Sequence, residues 1–96
     1  MTTYVLGQVT ILDPIKWEIY CNELILTLQE WGGEMVFRGA QVDTLVGRSA
    51  GAASMVVTFP NRHSARHWYQ SIEYRALLPI QKAAAEIQLN VFESDS

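Results

Sequence analysis

Ninety-six residues, 49% of them hydrophobic, with a formal net charge of −3, make one domain around one core over residues 1–96. The seven Lys and Arg residues are thinly scattered, which argues against nucleic acid and anionic membranes, since both need clustered cations. No apolar run is long enough to span a membrane, and Met1-Thr2-Thr3-Tyr4 opens no cationic-then-apolar leader, so the expected location is cytoplasmic.

Residues 4–11 are uncharged and rich in β-branched and aromatic side chains, and read as a strand. Asp13 can then cap a helix with Pro14 in its first turn. Trp17, Tyr20, Cys21, Leu24, Leu28 and Trp31 recur at three- and four-residue steps and form one apolar face that ends at Gly32-Gly33. Cys21 is the single cysteine, so an internal disulfide is excluded. Its neighbours at helical spacing make it a small buried hydrophobe, with no evident cation to lower its pKa.

Residues 34–46 read as extended, interrupted at Arg38-Gly39-Ala40, where a bulge or bend would precede a resumed strand over 41–46; a long bent strand and a hairpin both fit. Residues 47–53 are small and glycine-rich and read as a loop. Residues 54–59 form a compact strand closed by Pro60-Asn61. A second helix follows, with Ala65, Trp68, Tyr69 and Ile72 on one face and breaks near Ser71 and Pro79. Residues 87–92 are the last strand.

The order βαββαβ is that of a ferredoxin-like α+β domain, with both helical crossovers on one side of an antiparallel sheet. Alternation splits each strand into two sets. Val5, Val9, Ile11, Met55, Val57, Phe59, Ile87, Leu89 and Val91 should lie under the helices. The opposite set holds Tyr4, Leu6, Gln8, Thr10, Val56, Thr58, Gln88, Asn90 and Phe92, a half-apolar face suited to the same face of a second copy. A homodimer is therefore expected. On the first helix, Ile15, Ile19 and Leu26 form a second stripe, read either as incidental surface or as a further contact that would make a higher oligomer.

Asp13-Pro14, Tyr20, Trp31-Gly32-Gly33, Arg38-Gly39, Phe59-Pro60, Ala65, Trp68-Tyr69, Ser71, Glu73-Tyr74 and Ala83-Ala84 follow a pattern that resembles the family catalogued as domain of unknown function 1330, over nearly the whole chain. The resemblance implies a dimeric α/β-barrel of two ferredoxin-like subunits packed sheet to sheet. Similar barrels include cofactor-free monooxygenases, isomerases and dehydratases acting on small, often aromatic molecules. The family pattern tends to carry an acid where this chain has Val46 and an arginine where it has Gln81; Ala40 replaces a glycine and Ile72 a proline.

The site expected from these residues is a pocket between sheet and helices for a small organic molecule, aromatic or carboxylate-bearing, without metal or flavin. Arg38 can grip a carboxylate bidentately, or can pair with Glu34 or Glu73. Trp68, Tyr69, Ser71 and Tyr74 cluster where aromatic walls and a phenol proton donor would serve such a ligand, although packing and helix capping also explain them. His63 and His67 stand four apart, but with no third ligand they read as surface histidines. A binding or structural protein with a decayed site is the competing reading, on the strength of Val46 and Gln81.

Overall fold

A computed structural model describes residues 2–48 and 52–94. The chain runs β1 (Thr3–Ile11), α1 (Pro14–Leu28) with a 3₁₀ turn over Gln29–Trp31, β2 (Glu34–Ala40), β3 (Ala53–Phe59), α2 (Arg62–Gln70), α3 (Ile72–Arg75), α4 (Leu78–Ala84) and β4 (Ala85–Glu93). One four-stranded sheet has the order β2-β3-β1-β4, with every neighbouring pair antiparallel. This is the ferredoxin-like α+β arrangement.

The helix boundaries follow from local chemistry. Asp13 Oδ1 accepts from the backbone N–H groups of Ile15 and Lys16, both at 3.1 Å, satisfying two of the free donors that open α1. Gly32 closes the turn after α1 with φ of 70°, a left-handed geometry that favours glycine. Asn61 Oδ1 caps α2 through Ser64 N–H at 2.8 Å. Ser71 then leaves the helical region at ψ of 153°, which splits the expected second helix; its Oγ accepts from Tyr74 N–H and so starts α3. Pro79 stands in the first turn of α4, where its missing N–H costs nothing.

β2 departs from expectation in two ways. The irregularity lies between Met35 and Phe37, not at residues 38–40, because Val36 is an extra residue against β3. Residues 41–46 are not a resumed strand: among the described residues only Gln41 N–H extends the ladder, donating to the Ala52 carbonyl at 2.8 Å, and Val42, Leu45 and Val46 are all exposed. The extra residue inverts the alternation. Arg38 pairs across from Met55 and so stands on the helix side, while Phe37 pairs across from Val56 on the open side. The expected loop over 47–53 falls partly on residues 49–51, outside the described residues, and Ala53 already belongs to β3.

Helices cover one face of the sheet. Val5, Val9, Met55, Val57 and Phe59 are buried there against Trp17, Tyr20, Leu24 and Leu28 of α1 and Ala65 and Trp68 of α2, with Ile11, Ile87 and Leu89 partly buried. Val91 shares that face but is 55% exposed, because no helix reaches it. On the open face, Phe37, Val56 and Leu6 form one cross-strand row, and Thr58, Tyr4 and Phe92 another. The Phe37 ring lies along the sheet over Gly39, where a Cβ would meet it at 2.8 Å.

Leu24 is wholly buried, so Leu24→Ala should cost about 2–5 kcal/mol in denaturant unfolding. Ser71→Ala, which removes a cap, should cost about 1 kcal/mol. Equal costs would contradict the core described.

Candidate functional site

The helix layer is incomplete above β4. α4 covers its first residues and α2 lies over β1 and β3, so between them the sheet is open as a cleft of about 490 Å³. Val5, Ile87, Leu89 and Val91 form the floor, which is apolar because these are the helix-side positions of two adjacent strands. Arg62, Ala65, Arg66 and Tyr69, at helical three- and four-residue steps, form the α2 wall with Trp68; Gln81 and Glu93 complete the lining. Arg62 Nε lies 3.6 Å from Glu93 Oε2. Among the described residues Arg66 enters no ion pair.

Behind this wall the aromatic side chains are committed to one another. Trp68 Nε1 donates to Thr27 Oγ1 at 2.9 Å, and that hydroxyl donates to the Leu24 carbonyl at 2.7 Å, pinning α2 to α1. The Tyr20 and Tyr74 hydroxyls meet at 3.0 Å with both residues wholly buried. The Trp68 ring packs on Phe59 and Tyr74 at centroid distances of 5.4 and 4.5 Å. Ser71 Oγ donates to the Trp68 carbonyl at 2.7 Å and accepts from Tyr74 N–H at 3.2 Å. Burial pushes the Tyr20 phenol far above its ordinary range, with Tyr74 adding to the effect. Burial also raises Tyr74, the hydrogen bond from Tyr20 opposing it in part.

Of the five residues expected at a site, Trp68 and Tyr69 line the cleft, and only Tyr69 presents substantial surface, at 46% exposed. Ser71 and Tyr74 stand behind it. Arg38 stands elsewhere, beside α1: its Nη2 donates to both carboxylate oxygens of Glu18, at 2.9 and 3.2 Å. The partner is thus Glu18 rather than Glu34 or Glu73, because the bulge at Val36 aims Arg38 at the helix. Arg38 is also the cationic neighbour of Cys21 that the sequence did not reveal. Burial pushes that thiol up, and Arg38 opposes the shift. The His63 and His67 rings lie 5.0 Å apart, with Trp31 5.8 Å from His67. Among the described residues no group of three or more potential ligands gathers to hold a metal, and no helix is long and apolar enough to cross a membrane.

Arg62 and Arg66 were missed because charged residues on a helix ordinarily mark its solvated face. The available signal was their spacing with Ala65 and Tyr69.

The family model described as Domain of unknown function (DUF1330) matches residues 2–94. The chain belongs to this family. No curated protein matches it. Its fold is similar to that of a protein of unknown function from Rhodopseudomonas palustris, with a TM-score of 0.83 and 14% identity over 99% of this chain and 83% of the other. It is also similar to SnoaB, a cofactor-independent oxygenase from Streptomyces nogalater, with a TM-score of 0.74 and 8% identity over 99% and 94% of the two chains. A dimeric ferredoxin-like protein of unknown function from Thermobifida fusca matches with a TM-score of 0.68 and 14% identity over 96% and 90%. Of the departures from the family pattern, Gln81 lies in the cleft, whereas Val46 is 92% exposed and away from it.

Because both buried phenols sit above the ordinary value near 10, the unfolded chain loses these protons first. Stability from Tyr20 and Tyr74 should therefore be complete below about pH 10 and fall above it, by up to about 1.4 kcal/mol per pH unit for each group. Urea midpoints across that range check this. Tyr20→Phe should cost about 1–3 kcal/mol by leaving Tyr74 unpaired, and the double Phe variant less than the sum of the single changes.

Proposed function

We propose that this member of the family acts as a homodimer, joined through its open sheet faces, and that each subunit binds a small aromatic carboxylate in the cleft between α2 and β4. The observation that carries this reading is a cation, Arg66, that enters no ion pair among the described residues and stands beside an apolar floor and aromatic wall in a cleft of about 490 Å³. That volume falls within the range of small-ligand sites. Arg66 would hold the carboxylate through a charge-assisted fork, Gln81 would supply a neutral polar contact, and Tyr69 would flank the ring. Arg62 is already drawn to Glu93 and would close one end.

Dimer formation is supported by the open face, where Phe37 and Phe92 are each 53% exposed in rows shared with Leu6, Val56 and Tyr4. Such contiguous apolar surface is unusual on a lone subunit. The Thermobifida fusca neighbour, of similar fold, is itself dimeric, which supports the reading.

Turnover without a cofactor is supported by SnoaB, a cofactor-independent oxygenase of the same fold, and here Tyr69 would be the proton donor. Binding without turnover is favoured by Gln81, a neutral side chain where the family pattern tends to place an arginine. Among the described residues the cleft also holds a single acid, Glu93, already drawn to Arg62.

Thermal-shift titration with benzoate and 1-naphthoate should show stabilisation by both and none by benzamide. Arg66→Ala should weaken binding roughly 10- to 100-fold, the loss of a hydrogen bond to a charged group. Arg38→Ala should leave it unchanged. Loss of binding on Arg38→Ala with none on Arg66→Ala would move the site to α1 and β2. Val56→Lys should turn the sheet-paired dimer into single copies by sedimentation.

A further inference from the structure

Opposite its buried face, α1 carries a second apolar line that the described residues leave exposed. Ile15, Ile19 and Leu26 are 75%, 46% and 63% exposed. With Asn22 they advance by four, three and four residues, the seam spacing of paired helices. At 100° per residue this seam lies half a turn from the core-facing Trp17, Leu24 and Leu28.

The flanking charges select the occupant. One flank holds Lys16 and Glu23; the other holds Glu18, whose charge Arg38 takes up at 2.9 Å. In an antiparallel pair of α1 helices with a two-fold axis between Ile19 and Asn22, Ile15 of each copy meets Leu26 of the other. Lys16 of each then falls beside Glu23 of the other. A parallel pair would set Lys16 and Glu23 against the flank of Glu18, whose charge Arg38 already takes up, and so would leave both without an opposite charge across the seam. In its own subunit the nearest carboxylate to Lys16 is Asp13, 4.0 Å away, so the ammonium is free to turn outward.

We infer that the outer face of α1 is a self-association surface that pairs antiparallel with α1 of a second copy of this chain. Asn22 is the polar seam residue that fixes the register, at some expense in strength. The helices and the open sheet face lie on opposite sides of the subunit, so this pairing neither needs nor obstructs the sheet-to-sheet dimer. With 15 residues, α1 is about 22 Å long. One helix pair therefore buries less than a standard interface, and the association is weak and concentration-dependent.

Sedimentation of the full chain over a wide concentration range tests this. Each sheet-paired dimer presents two α1 faces, so the mass should at least double as concentration rises. Lys16→Glu and Glu23→Lys each create like-charge contacts at both flank positions and should weaken the doubling roughly tenfold. An equimolar mixture of the two variants should restore it, since every flank contact again joins opposite charges. Ile19→Glu should abolish it. Val56→Lys, aimed at the open sheet face, should leave it in place. The inference is overturned if the doubling is absent, if the mixture stays as weak as the single variants, or if Val56→Lys removes the doubling while Lys16→Glu does not.

Discussion

With every helix on one face of a four-stranded sheet, the large aromatic residues that fasten the helices must satisfy their polar atoms within that layer. Tyr20 and Tyr74 do so by meeting each other, and Trp68 by donating to Thr27, whose hydroxyl in turn donates to the Leu24 carbonyl. A buried hydroxyl without a partner costs about 1–3 kcal/mol, so these pairings fix how α1, α2 and α3 sit together. Thr3 Oγ1 and Trp31 Nε1 are exceptions, buried without a partner among the described residues.

That commitment shapes the site. Trp68, Ser71 and Tyr74 are residue types that invite a chemical reading, yet their polar groups are consumed in holding the helix layer to the sheet. What remains available lies where the layer stops short of the end of β4. There Val91 is uncovered, Tyr69 is exposed, and Arg66 stands beside apolar floor without an ion pair among the described residues. Under the function proposed, a cation beside apolar floor would suit a carboxylate carried on an apolar body.

The same one-sidedness leaves two other surfaces. The open sheet face concentrates its apolar side chains in two neighbouring cross-strand rows, while Gln8, Ser54 and Gln88 make a polar row beyond them. The outside of α1 is narrower, a single line of aliphatics edged by charge. A broad half-apolar sheet suits a stable partner, and a narrow helical seam suits a weaker one.

The element order, helix starts and covered strand positions were legible in the sequence because each rests on near neighbours. Asp13 caps the N–H groups that immediately follow it, Gly32 takes the left-handed turn that ends its helix, and alternation assigns Val5, Val9, Met55, Val57 and Phe59 to one face. The family pattern is visible for the same reason, being a string of such signals. Tertiary structure alone decided where alternation inverts, where the helix layer ends, and which charges meet. One extra residue at Val36 sends Arg38 to Glu18, and the reach of α2 and α4 decides that Val91 and Arg66 border an opening. Those outcomes depend on how separate elements pack, and no local run of residues records the distance between them.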